Sequence, residues 1–552
     1  MKIACRILMT TATFVLIGCG GGGSENIAQP SASNLVSGTP SSTATVTEIS
    51  GKVTFDNVPH TILSGLDYAK TTSNPVRGAV IQAVDGAGVV LADTILGEDG
   101  RYQLSAPAST NVRIQVKAQL LSDDGATWDF RVTDNTQGNQ TYALQGSLVS
   151  TGANSQQTRN LHAPHGWTGQ SYDDARAAAP FAILDTIYKT ARTFADIDPD
   201  IQFPALELRW STENKTQIGQ RSLGQIGTSS YVPDEAGGGA IYILGQEGRD
   251  TDEFDPHVIV HEWGHYFEHQ VSRTDSFGGS HSLSDRLDAR VAFSEGWSNA
   301  LSAIITGDPV YRDSSGTDQA AGFSFDLETH LATNPGWFSE ASIGSVIYDI
   351  FDDASDPGDG ISQGLAPLYD VMQSDTYKEA PVFATIFALA DGLRQKTPSD
   401  AQGINDLLAK HFISGQGPSG NGESNSGAIR SALPVYKEVS LNGAAARLCS
   451  VDDAGLHNKL GNREFIFLRL DEEQDVTLSL VKMSGDEDRD PDFNIWQGTR
   501  LIHKSATSAE GREVYNGVLP AGDYVIEAFD FYNINGTGPK RGDGCYDFTV
   551  TG

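Results

Sequence analysis

The stretch Asp255-Pro256-His257-Val258-Ile259-Val260-His261-Glu262-Trp263-Gly264-His265-Tyr266-Phe267-Glu268-His269 decides how the rest of the chain is read. Asp255 suits the cap of a helix and Pro256 its first position, so a helix is expected from there. On that helix His261 and His265 stand one turn apart on one face, close enough to grip a single metal ion. Neutral imidazole is a good Zn²⁺ ligand. Glu262 points beside the same face, where it can take a proton from a water activated by the metal. His257 and His269 continue the four-residue spacing. Each step of four advances about 40° past a full turn, so the outer pair are about 120° apart and cannot both face the ion. They are expected to pack, to lie on the surface or to hydrogen-bond a ligand from outside.

A catalytic zinc needs a third protein ligand and an open position. Downstream, Ser284-Asp285-Arg286-Leu287-Asp288-Ala289-Arg290-Val291-Ala292-Phe293-Ser294-Glu295-Gly296-Trp297-Ser298-Asn299-Ala300-Leu301 offers Glu295. It stands in an otherwise apolar run, where an unpaired carboxylate is expensive and ligation removes that cost. Asn299, one turn on, can hydrogen-bond a ligand. Glu268, Asp285 and Asp288 are rival third ligands, but each has charged neighbours and reads as solvated.

HEWGHYFEH followed by FSEGWSNAL resembles the fungalysin and thermolysin-like gluzincin metallopeptidases. The longer HExxHxxGxxH pattern is excluded, because Glu268 stands at its glycine. The resemblance implies an α+β zincin-type domain with zinc on His261, His265 and Glu295, and Glu262 as general base. It also implies a polypeptide substrate whose backbone pairs with an edge strand, here AIYILG. Two departures stand out. Asn299 replaces the family's usual Asp. The stretch Trp337-Phe338-Ser339-Glu340-Ala341-Ser342-Ile343-Gly344 lacks the family's transition-state donor histidine, for which Tyr231, His281, His330, Tyr348 and Arg290 are candidate substitutes.

Outward from this centre, 552 residues imply several domains. Residues 155–415 carry helical periodicity near 172–197, 256–272, 284–306, 340–353, 380–395 and 402–413, with buried strands in FPALELRWS and GGGAIYILG. Residues 46–150 alternate as strands. Gly51-Lys52-Val53, Pro75 to Val80 and Asp99 to Leu104 there resemble the carboxypeptidase-regulatory-like β-sandwich. Residues 416–434 read as a linker by composition. Residues 435–552 return to strands and resemble the pre-peptidase C-terminal domain, on Leu460 to Phe467, Asp490 to Phe493 and Ala521 to Tyr524. The expected fold is therefore multidomain: a β-sandwich, then an α+β zincin-type metallopeptidase domain, then a jelly-roll-like β-sandwich.

The charge balance, 71 acidic against 38 basic residues, argues against nucleic acid as a partner. Two acidic loops, Asp352 to Asp359 and Asp486 to Asp492, read first as solvated turns and second as Ca²⁺ ligands. Residues 1–19 read as a signal peptide, with Lys2 and Arg6 before the apolar run Ile7 to Ile17. Leu16-Ile17-Gly18-Cys19 resembles the bacterial lipobox, which implies a lipid on Cys19 and a membrane anchor. Residues 20–45 are a Gly/Ser/Thr-rich tether. The implied place is a bacterial cell envelope, with Gly20 pointing to the outer membrane in a Gram-negative host, or the extracellular space. Cys5 leaves with the signal and Cys19 is taken by lipid, so Cys449 and Cys545 are expected to form a disulfide. The expected function is a zinc-dependent metalloendopeptidase. The alternative is a metal-binding surface or adhesion lipoprotein on a weak or inactive zincin domain.

Overall fold

The computed structural model describes residues 46–552 except 124, 154–155, 234–238, 330–331, 354–359, 509–510 and 536–541. The signal segment, Cys19, the tether, His330 and most of the first acidic loop lie outside the described residues. The chain is multidomain and rich in sheet, with its helices in the middle. Among the described residues no helix is long and apolar enough to cross a membrane.

Alternation builds the N-terminal strands. Arg101–Pro107 and Asn111–Ser122 bury every second side chain, as a strand with one face on a core must. Trp128–Asp134 is different. Phe130 and Val132 are fully buried, and the strand continues the sheet by pairing in parallel with Leu206–Trp210, Val132 opposite Leu208. A ten-stranded sheet results. Its main path runs Ser230–Val232, Ala240–Ile243, Leu206–Trp210, Trp128–Asp134, Asn111–Ser122, Ala79–Asp85 and Val90–Ile95. The expected break at 150–155 thus falls between regions that share one sheet, and Gln156–Thr158 and Leu161–Ala163 pair back onto Val46–Asn57. The physical reason is that Trp128–Asp134, if left as an edge, would expose backbone donors and acceptors beside a buried apolar face.

Four helices frame the centre. Helix α1 (Ala179–Ile197) packs Phe181, Ile187 and Phe194 inward. Helix α2 (Pro256–Gln270) carries the HExxH motif. Helix α3 (Ala289–Thr306) is buried from Ala289 to Ile305, and α4 (Glu340–Phe351) covers its far side. Two glycines let the helices approach. A Cβ on Gly264 would stand 2.7 Å from Ser298 Oγ, and one on Gly296 would stand 2.6 Å from Ile343 Cγ2. The α2–α3 approach is what brings the Glu295 carboxylate to the motif histidines.

Residues 416–434 differ from the expected linker. The buried carboxylate of Glu423 accepts from the main-chain N–H groups of Ser414, Gly415, Ser424 and Asn425, and Ile429 is buried. Gly/Ser/Asn composition there encodes tight turns around one buried acceptor. Beyond it, the sheet of Tyr436–Val439, Arg463–Leu470, Gly522–Asp530, Pro491–Gln497 and Arg500–Ser505 accompanies a second of Ala446–Ser450, Gly544–Thr551, Gln474–Ser484 and Arg512–Leu519. Ile466, Leu478, Phe493, Ile526 and Phe548 fill the core of this sandwich. Cys449 lies opposite Cys545 in its antiparallel pair and is bonded to it, Cα to Cα 4.0 Å. The expected C-terminal sandwich and disulfide are both present.

Candidate metal centre

Asp255 precedes α2 but does not cap it. Its Oδ1 faces His60 Nε2 at 2.8 Å and its Oδ2 accepts from Ser314 N at 2.7 Å, so Pro256 starts the helix without a side-chain cap. Along α2 the two motif histidines meet head to head, Nε2 to Nε2 at 3.2 Å. From α3, Glu295 Oε2 reaches both, 3.2 Å from His261 Nε2 and 3.3 Å from His265 Nε2. The outer ring nitrogens face acceptors. His261 Nδ1 lies 2.9 Å from Asn299 Oδ1. His265 Nδ1 lies 3.0 Å from Ser294 Oγ, whose hydroxyl donates to Glu268 Oε2 at 2.5 Å. Each imidazole therefore keeps its proton on Nδ1 and turns a lone pair inward at Nε2. Two lone pairs and a carboxylate oxygen then face one another within 4.8 Å, in a site where His261 is 8% and Glu295 5% exposed. Three such acceptors repel unless a cation lies among them. Two imidazole nitrogens and one carboxylate are a donor set that suits Zn²⁺.

The electrostatics follow from the same contacts. Burial would raise the Glu295 carboxyl, but His265, His261 and His281 hold it well below the usual range. Burial would lower His265, but Glu295 and Glu268 carry it well above the usual imidazole value, so a proton competes with a metal ion for the Nε2 lone pair. Burial raises Glu262 against the pull of His261 and His265, and its Oε2 accepts from Tyr231 N at 2.7 Å.

Of the candidate donors, the structure brings His281 to the centre. Its Nε2 lies 3.3 Å from Glu295 Oε2, and its Nδ1 lies 2.7 Å from Glu340 Oε2. It groups with those two carboxylates and not with the motif histidines. Glu340 opens α4, inside the stretch where the resemblance leads one to look for a histidine. The other candidates are engaged elsewhere. Tyr231 OH faces His269 Nδ1 at 3.2 Å. Arg290 donates to Asp288 at 2.9 Å and Glu527 at 2.8 Å. Tyr348 lies beside Phe351 with the rings tilted at 44°, and feels the charges of Asp352 and Glu328.

Several expectations need correction. Glu268 and Asp288 are buried, not solvated, because Ser294 and Arg290 give them partners. Asp288 also caps α3 through Arg290 N. Asp285 pairs with Lys459 at 3.3 Å. The strand AIYI is not an edge: Ala240–Ile243 lies between Leu206–Trp210 and Ser230–Val232, so the sheet ends at Ser230–Val232, with Tyr231 opposite Ile241. His257 packs as expected, its Nε2 3.1 Å from Asp308 O, and burial lowers its pKa to about 4. His269 is exposed. At the second acidic loop Lys482 Nζ donates to the carbonyls of Asp486 and Glu487 at 2.9 and 3.0 Å. The sequence reading missed Glu340, Ser294 and a separate carboxylate group, Asp250, Asp252 and Asp313. Glu340 had a readable signal, the one Glu295 gave: an acid in a run of apolar and small residues.

Residues 231–391 match the family described as "Mycolysin C-terminal domain", a span that takes in His261, Glu262, His265, His281, Glu295, Asn299 and Glu340. No curated protein matches the chain. Among solved structures, the pre-peptidase C-terminal domain of a Bacillus anthracis collagenase is 10% identical, over 21% of this chain and 93% of its own, with a TM-score of 0.16. The surface-associated copper-binding protein CorA of Methylomicrobium album BG8 is 11% identical, over 21% of this chain and 96% of its own, with a TM-score of 0.16. At TM-scores this low neither likeness bears on function.

Proposed function

We propose that this protein is a zinc-dependent metalloendopeptidase. The observation that carries the reading is the inward convergence of His261 Nε2, His265 Nε2 and Glu295 Oε2, each motif imidazole held by an acceptor on its outer nitrogen. Zinc on those three residues would supply Lewis-acid chemistry, polarising a carbonyl and making water nucleophilic at neutral pH. Glu262, buried beside the histidines with Tyr231 N fixing its Oε2, takes the proton of the attacking water and delivers it to the departing amine. Asn299 and Ser294 hold the imidazoles in register. His281, gripped at Nδ1 by Glu340 and with Nε2 3.3 Å from Glu295 Oε2, is the side chain near enough to the centre to donate to an oxygen that gains negative charge. The strand Ser230–Val232 ends the sheet beside Glu262 and offers an edge to an extended polypeptide. The lipobox resemblance at Leu16 to Cys19 extends the reading to a lipid-anchored protein of the bacterial cell envelope.

The test is hydrolysis of casein by the zinc-loaded protein and by Glu262→Gln. Glutamine is nearly isosteric and accepts no proton, so activity should fall by about 10²–10⁴-fold with zinc content unchanged. Equal cleavage by both would remove Glu262 from the chemistry. Zinc bound with no cleavage by wild type would leave a metal-binding surface protein.

A further inference from the structure

We propose that Asp250, Asp252 and Asp313 form a second cation site, for Ca²⁺, which ties the hairpin Val310–Asp326 to the segment leading into α2. One side-chain oxygen from each lies within 4.8 Å of the other two. Ca²⁺ holds carboxylate oxygens at about 2.3–2.6 Å, so two oxygens across one ion stand at most about 5 Å apart, and this set fits inside that span. Ca²⁺ accepts carboxylate oxygens in flexible geometry, whereas Mg²⁺ demands near-ideal octahedral geometry and keeps several of its waters, so a cluster of three carboxylates favours Ca²⁺.

A second observation is independent of the clustering. Asp252 is 2% exposed, and its Oδ2 accepts from Ser229 Oγ. Its Oδ1 is buried without a hydrogen-bond partner, and so is Asp250 Oδ1. Buried carboxylate oxygens left without donors are costly unless a cation takes their lone pairs. The nearby donor groups are spent elsewhere. Asp255 is held by His60 and Ser314, and Arg176 by Glu253 and the Gly245 carbonyl. Beyond burial, the charges that bear on Asp252 are Asp313, Asp250 and Asp255, all negative. Burial and Asp255 raise Asp250 to about 6, against a side-chain contact with Asp252 that lowers it, and burial, Asp255 and Asp250 raise Asp313 to about 8.

The location gives the ion a task. Asp250 pairs with Ser315 between the strands, and three residues separate Asp252 from the start of α2. On the strand of Asp313, Tyr311 packs against His257 at 5.5 Å and His261 at 6.2 Å. Calcium would steady the strand that backs a motif histidine without touching the zinc ligands.

The experiment is thermal unfolding of zinc-loaded protein, stripped of other cations, with added CaCl₂ or MgCl₂, together with calorimetric titration by CaCl₂. The readout does not depend on peptidase activity. Calcium is expected to bind at one equivalent in this site and to raise Tm by several degrees, with little response to magnesium. Asp252→Asn keeps an oxygen for Ser229 and removes a charge. It should abolish the calcium response and melt above wild type when calcium is withheld. Asp313→Asn is the second variant, expected to lose the response equally. No shift in wild type, an equal shift with magnesium, or a calcium shift that survives in both variants would overturn the site.

Discussion

His281 stands between two carboxylates, Glu340 on its Nδ1 and Glu295 on its Nε2, and the proposed donor role can be separated by experiment from that of a ligand. A donor aimed at developing charge acts on turnover and not on metal retention. His281→Ala should lower kcat by about 10²–10³-fold, with zinc content and KM close to wild type. Glu340→Gln, which still accepts from Nδ1–H, should lose less. Loss of zinc in His281→Ala, measured by metal analysis, would make the residue a ligand instead. At this scale the sequence singled out His261, Glu262, His265 and Glu295, which the structure brings together, because a helix fixes which residues share a face and a buried acid in an apolar run is conspicuous. It offered His281 only as one of five candidates. A histidine in a loop has no periodicity, and its partner Glu340 is 59 positions away.

Among elements, helices and alternating strands were readable wherever one face meets solvent. The parallel pairing of Trp128–Asp134 with Leu206–Trp210 was not, since contact between distant segments leaves no local pattern in either. The same holds for the seam between α3 and the C-terminal sandwich. There Arg290 donates to Glu527 at 2.8 Å, Arg463 lies 3.1 Å from the same carboxylate, and Phe383 and Phe465 flank the Arg290 guanidinium at 4.5 and 4.9 Å. Glu527→Gln would leave two buried guanidinium groups short of charge, a loss of about 3–5 kcal/mol in urea unfolding. Burial would raise the Glu527 carboxyl, but Arg290 and Arg463 bring it down to about 2 from a usual 4.5. A depressed folded value means the unfolded chain protonates first as acid is added. The stabilisation is complete above pH 4.5 and is lost as pH falls toward 2. The gap between wild type and Glu527→Gln should therefore be constant near neutrality and close below about pH 4, read as urea midpoints across pH. A gap that does not change with pH would remove Glu527's charge from the seam.

At the scale of the whole molecule, the C-terminal sandwich reaches into the candidate active site. Its loop at 456–462 runs along the segment that joins α2 to α3: Asp288 N donates to Asn458 O at 2.8 Å, and Leu460 N donates to Arg286 O at 2.9 Å. Asn458 Nδ2 donates to Gly278 O at 3.0 Å, and Lys459 Nζ donates to Ser280 O at 2.6 Å, the residue before His281. The sandwich, whose sequence carries no catalytic motif, thus holds the loop that presents His281. Lys459→Met keeps the apolar stem and removes the ammonium. It should leave zinc content unchanged and lower kcat on casein by roughly tenfold, the scale of about 1.4 kcal/mol of lost positioning. A cycle with His281→Ala separates positioning from general loosening. If Lys459 acts through His281, the double variant should be no slower than His281→Ala alone, because the group it positions is gone. Fully additive losses in kcat would place the effect of Lys459 elsewhere and leave the sandwich a passive neighbour.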